Sequence, residues 1–128
     1  MDTFTQIFAL LAALLHVLIF CMESLWFMKP GVYKRFGART MEDAQARRLF
    51  AFNQGFYNLF LALGIFFGFT LIHTGSNVVV AQTLILFCCA SMICAGVVLL
   101  FSGGTRMLLA AVIQATFPSL AWIGWFFL

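Results

Sequence analysis

Asn53-Gln54-Gly55-Phe56-Tyr57-Asn58 places four hydrogen-bonding side chains within six residues, near the start of a long apolar run. In hydrocarbon an unpartnered polar group costs several kcal/mol. The cluster therefore needs partners, a water-filled cavity or a ligand. Three further residues of the apolar runs can answer it: His16, Glu23 and Gln114. Glu23 is the only acid inside such a run, and an intramembrane carboxylate is a functional candidate by default. Its structural alternatives are an ion pair with Arg47, Arg48 or Arg106, or a snorkelling interfacial acid. His16 has the chemistry of an acid, a base or a ligand, although most such histidines hydrogen-bond across helices. Interhelical amide bonds are worth roughly 0.6–2 kcal/mol each. Three amides plus Tyr57 exceed what one packing contact needs, which favours a lined cavity.

The elements that position these residues are set by composition. The chain has 128 residues, 64% hydrophobic and 9% charged, against about 25% charged in a water-soluble domain. A spanning helix needs about 20 apolar residues, and four segments qualify: about 4–27, 49–73, 78–101 and 106–128. They leave a basic connection, 29–48, and two short turns. The expected fold is all-α and integral to the membrane: an antiparallel four-transmembrane-helix bundle forming a single domain over 1–128. The first segment is expected to be a permanent helix. It starts with Asp2 and no Lys or Arg, and it is longer than the roughly 7–15 apolar residues of a signal peptide.

Charge gives the orientation. Lys29, Lys34, Arg35, Arg39, Arg47 and Arg48 lie in or beside the first connection, and Arg106 borders the third. The positive-inside rule puts both connections in the cytoplasm and both termini outside. The formal charge of +3 reports that topology and contact with anionic lipid headgroups. No nucleic-acid footprint is expected from it, because no folded basic surface is expected to carry one. The expected location is a cell membrane, of the bacterial inner-membrane type.

Local signals mark the ends. Lys29-Pro30-Gly31 stops the first helix, and Val32 to Phe36 alternates aromatic with basic residues at headgroup level. Thr40-Met41-Glu42-Asp43 resembles a capping box, so a helix can begin near Met41. Gly75 is expected to cap its far end, with Ser76 or Asn77 starting the next helix. Ser102-Gly103-Gly104-Thr105 reads as a tight turn. Trp122 and Trp125 suit the outer interface.

At 1.5 Å per residue, Glu23 lies roughly 6 Å inside the cytoplasmic boundary, and Asn53 and Gln54 at about 6–8 Å. Tyr57, Asn58 and Gln114 follow at about 12–14 Å, and His16 at about 16 Å. Polar groups from three helices thus share one half of the bilayer. His16 and Glu23, seven residues apart, share a helix face, as do Asn53 and Tyr57. Gly64 and Gly68 form a G-x-x-x-G spacing for close helix approach. Pro118 removes the donor for the Gln114 carbonyl and kinks the last helix. His73 falls at the opposite membrane face, so the two histidines cannot ligate one haem or metal within a monomer. Cys21, Cys88, Cys89 and Cys94 read as packing residues. No metal site and no cofactor are expected.

The run N-Q-G-F-Y-N-L-F-L-A-L-G, residues 53–64, with His16, Glu23, Gln114 and the following proline, resembles a family of small bacterial membrane proteins. That family is the domain-of-unknown-function family numbered 1304. The resemblance covers nearly the whole chain and implies four helices but no chemistry. Arg47-Arg48 followed by Asn53 is also similar to the second helix of the membrane-associated proteins in eicosanoid and glutathione metabolism. Those are four-helix trimers that bind glutathione between subunits. Phe56 stands where their pattern has Glu.

The sequence thus points to a cytoplasmic-side polar pocket for an amphipathic small molecule or lipid. Asn53, Gln54, Tyr57, Asn58, Gln114, Arg47 and Arg48 would bind it, and Glu23 with His16 would serve any proton transfer. Expected partners are membrane lipids and further copies of the chain, as a dimer or trimer. The alternatives are a proton-coupled transporter or channel subunit, and a non-catalytic assembly subunit.

Overall fold

The structure, a computed structural model, describes residues 1–128. It is all-α. Three helical stretches are long and apolar enough to cross a membrane: Thr3–Leu25, Met41–His73 and Val78–Phe127. Helix α1 is Thr3–Phe20 and passes into a π-helical turn, Cys21–Leu25. The short helix α2 is Pro30–Tyr33, α3 is Met41–His73, α4 is Val78–Gly103 and α5 is Leu108–Phe127. A 3-10 turn, Gly104–Met107, separates the last two.

The caps at Thr40, Gly75 and Asn77 follow the sequence signals, and the structure adds one at Asp2. Asp2 caps α1 by accepting from the Thr5 amide at 2.8 Å. The Asp43 amide donates to the Thr40 hydroxyl at 3.1 Å. The Asp43 carboxylate reaches back to the Arg39 amide at 3.0 Å, one residue beyond the usual capping-box partner. At the far end of α3, Gly75 takes φ +67°. The amides of Gly75 and Ser76 donate to Ile72 and Leu71 carbonyls, which is a Schellman motif. Asn77 then caps α4 through the Val80 amide at 3.1 Å. Gly104, with φ +68°, turns the chain between α4 and α5.

The chain divides into two compact units. The first comprises Met1–Leu15 and Leu61–Leu128. It packs through small residues, since lipid gives apolar surfaces no incentive to associate and close approach must supply the attraction. Ala9, Ala12, Ala13, Ala62, Ala81 and Ala121 are buried, as are Ile65, Ile85 and Met92. Gly64 meets Cys88, and Gly68 meets the Ala81 carbonyl and Ile85, so the G-x-x-x-G face of α3 seats on α4. Gly124 of α5 admits Phe4 and Thr5. Helices α4 and α5 run antiparallel: Trp122 donates to the Leu86 carbonyl at 3.1 Å and Gly96 faces Ala111 and Ala115. His73 meets Gln6 at 3.0 Å.

The second unit is His16–Phe60. It holds the end of α1, the π-turn, α2, the basic connection and the first half of α3. Phe27, Tyr33, Ala38 and Ala44 form a small core of their own, flanked by Met28, Phe36 and Ala51. The connection is therefore folded.

Two outcomes test this packing. A Cβ at Gly68 would stand 2.8 Å from the Ala81 carbonyl oxygen and from Ile85. Gly68→Val should destabilise the protein by about 1–3 kcal/mol, the usual range for overpacking, read by unfolding in mixed micelles. At the N-terminus, the Thr5 hydroxyl and amide hold the Asp2 carboxyl below its ordinary value of 3.8. A depressed folded value means that the cap's contribution is present above 3.8 and disappears as pH falls through the lower folded value. The Thr5 amide NMR signal should report that loss on acidification, and Asp2→Ala should show it at every pH.

Candidate functional site

The polar constellation of the second unit is built on the π-turn. Its widened hydrogen bond runs from the Trp26 amide to the Cys21 carbonyl at 2.9 Å. Such turns insert a residue into the α-helical ladder and recur at functional sites. Here the inserted register changes the angular position of Glu23. Seven-residue spacing alone no longer aligns it with His16. Glu23 is half-buried, whereas His16 is fully buried.

Asn58 donates to the Glu23 carboxylate at 2.8 Å. The same nitrogen donates to the Gln54 carbonyl, one turn back, at 3.1 Å. With two acceptors around it, the amide must point its nitrogen inward, because a flipped group would set oxygen against oxygen. Both amide hydrogens are thereby engaged. What the pair offers to a further molecule is acceptor oxygen, from the carboxylate and from the Asn58 carbonyl.

Close approach makes this bond reachable. Gly55 lies against the π-turn, where a Cβ would collide with the Ser24 hydroxyl and stand 3.1 Å from both the Glu23 Cβ and the Phe20 carbonyl. Ser24 donates to the Phe52 carbonyl at 2.8 Å. The Phe20 and Phe56 rings meet edge-on at 5.0 Å. Ser24 and Gly55 are site residues that pattern reading passed over. A serine one residue after a lone buried acid, and a glycine within the polar run, were the available signals.

The other candidates are dispersed. Consecutive residues step about 100° around a helix, so residues 53–58 cannot all face one cavity. Gly55 and Asn58 are buried, whereas Asn53, Gln54 and Tyr57 are exposed on the chain. Tyr57 contacts only the neighbouring Phe60 ring among aromatics, at 6.4 Å. Arg47 pairs with Asp43 at 2.8 Å, and Arg48 is exposed. Gln114 belongs to the first unit, where its amide donates to the Met92 carbonyl at 3.3 Å. That bond ties α5 to α4 beside Pro118, which is fully buried.

The Glu23–Asn58 bond can be measured. In a cycle of Glu23→Ala, Asn58→Ala and the double variant, the coupling energy should be about 0.6–1.7 kcal/mol, the range of interhelical bonds in membranes. Zero coupling would remove the pair as a unit. Gly55→Val should cost about 1–3 kcal/mol by forcing the helices apart, and should reduce that coupling when introduced as a background.

A search of curated proteins and a search of solved structures found no match. A family model does match, over residues 10–126, and is described as "Protein of unknown function (DUF1304)". Since that span takes in nearly the whole chain, including the π-turn, Asn58 and both helices of the last hairpin, the protein belongs to this family.

Proposed function

We propose that the chain is a four-pass membrane protein with both termini outside the cytoplasm, and that it binds a lipid or amphipathic small molecule in the cytoplasmic half of the bilayer. Four passes are supported by the 50-residue stretch Val78–Phe127, which folds back on itself into helices of 26 and 20 residues. Each is long enough for one crossing. The orientation is supported by the cluster of Lys and Arg in residues 29–48.

The observation that carries the binding reading is the Glu23–Asn58 pair, a carboxylate held by one amide donor inside an apolar stretch. Because the Asn58 nitrogen is engaged twice, the site favours a ligand that brings donors of its own. A hydroxyl- or amine-bearing headgroup fits that chemistry. Arg47 and Arg48 would draw any anionic part towards the boundary. Asn53, Gln54 and Tyr57, exposed on one chain, would instead face surrounding lipid or a second or third copy of the chain. Any conversion would be a proton transfer at Glu23, with His16 as the second titratable group. Gln114 is left out, since its amide is engaged at Met92.

A second reading, a non-catalytic assembly subunit, is favoured by the Ser24–Phe52 bond and the Gly55 approach, which are devices for fixing helix register. One experiment separates the two. The full chain is purified from native lipid extract and its retained species are identified by mass spectrometry. The binding reading expects one class of hydroxyl- or amine-headed amphiphile enriched at least tenfold over bulk (about 1.4 kcal/mol) and lost in Glu23→Ala. Unselective lipid, together with altered oligomer distribution in Glu23→Ala and Asn58→Ala, would favour the assembly reading.

A further inference from the structure

The basic connection has more structure than a topology signal requires. Within residues 29–48 there are six cations and two acids. They are carried on a folded scaffold. Phe27 and Phe36 contact across it at 6.1 Å, and Tyr33 and Ala38 are buried inside it. Gly37, at φ +84°, turns the chain, with the Ala38 amide donating to Tyr33 and the Gly37 amide to Lys34. Lys29, Lys34, Arg35, Arg39, Arg47 and Arg48 are all exposed.

The depth of this cap is marked on both sides by its own chain. In α3 the charged residues end at Arg48, and Leu49 and Phe50 follow at 73% and 76% exposure. Side chains so apolar and so uncovered belong in hydrocarbon, which puts Arg48 at the phosphates. On the other strand of the connection, exposed Leu25 and Trp26 precede Lys29, whose ammonium lies 5.6 Å from the Trp26 ring centre. An indole beside a lysine is an interfacial anchor. Both borders place the scaffold in the headgroup layer.

From this placement we infer that the folded cap is a binding surface for anionic phospholipid headgroups of the surrounding leaflet, with Lys34, Arg35, Arg39 and Arg48 as its phosphate contacts and Arg47 as a minor one. The hierarchy comes from Asp43. Its carboxylate holds the Arg47 guanidinium at 2.8 Å and the Arg39 amide at 3.0 Å. The Arg47 charge is therefore already countered, whereas Arg39 is bonded only through its backbone. Glu42, the remaining acid, is exposed on the first turn of α3. The inference rests on the membrane reading above but not on a ligand at Glu23.

The test is lipid selectivity of the full chain reconstituted in phosphatidylcholine vesicles with spin-labelled phosphatidylglycerol or phosphatidylcholine. Each juxtamembrane cation adds up to about fivefold in anionic-lipid association, screened by salt. The expected result is a several-fold preference for phosphatidylglycerol that collapses at high salt. Combined Lys34→Gln, Arg35→Gln and Arg48→Gln should remove most of it, with Arg39 left to supply the remainder, whereas Arg47→Gln should change it less than twofold. Should the triple variant misfold, Arg35→Lys with Arg48→Lys keeps charge and should keep the preference. Glu23→Ala should also keep it, so failure of the Glu23 proposal and failure of this one are distinguishable. Equal association of both lipids, an Arg47→Gln effect as large as that of Arg48→Gln, or loss of the preference to millimolar free phosphate would overturn the inference.

Discussion

A carboxylate inside an apolar helix has to be met by a donor, and everything around Glu23 follows from that requirement. Hydrocarbon supplies no hydrogen bonds, so the Asn58 amide must reach it from another helix. A 2.8 Å bond between helices needs their backbones close together, and Gly55 is the residue that lets them approach. The π-turn adds the second requirement, direction, by presenting Glu23 at an angle that a regular α-helix would not give. Ser24, next to it, donates to the Phe52 carbonyl and so fixes the register along α3. One polar contact is thereby served by a glycine, a helix defect and a neighbouring hydroxyl.

How much of this was legible depended on the range of the signal. Caps and turns were readable because their chemistry is local: Thr40, Gly75, Asn77 and Gly104 act within a few residues of themselves. The long apolar stretches were readable because length and composition suffice. The G-x-x-x-G spacing correctly announced close packing, and Gly64 and Gly68 meet α4. The π-turn was not readable. It is a response to packing, and C-M-E-S-L contains no residue that demands it. The polar run was read as one wall of a cavity, whereas helical rotation buries Asn58 and leaves Asn53, Gln54 and Tyr57 outside. Depth is additive along a helix and survives small errors in boundaries. Facing is cyclic and does not.

The short connection was underestimated for a related reason. Its aromatics alternate with cations, a pattern that fits an unstructured headgroup segment as well as a small fold. What separates the two is whether Phe27, Tyr33, Phe36, Ala38 and Ala44 find one another, and they do. Ala38 and Ala44 are buried in the same cluster as Phe27 and Tyr33. Five small or aromatic positions spread over eighteen residues carry no periodicity that would announce them.

The consequence for the site is mechanical. Glu23 lies between two aromatic anchors of its own unit. Phe20, three residues before it, is set edge-on to Phe56 of α3. Phe27, four residues after it, is locked in the core of the connection. A helix fixed at only one end of a widened turn could rotate and withdraw the carboxylate from Asn58. Fixed at both ends, the turn cannot relax to regular α-helix without breaking the Phe20–Phe56 contact or pulling Phe27 from its seat. An aromatic pair is worth about 0.5–1.5 kcal/mol, comparable to a single interhelical hydrogen bond of about 0.6–1.7 kcal/mol. The aromatic anchors and the polar pair therefore hold the widened turn together.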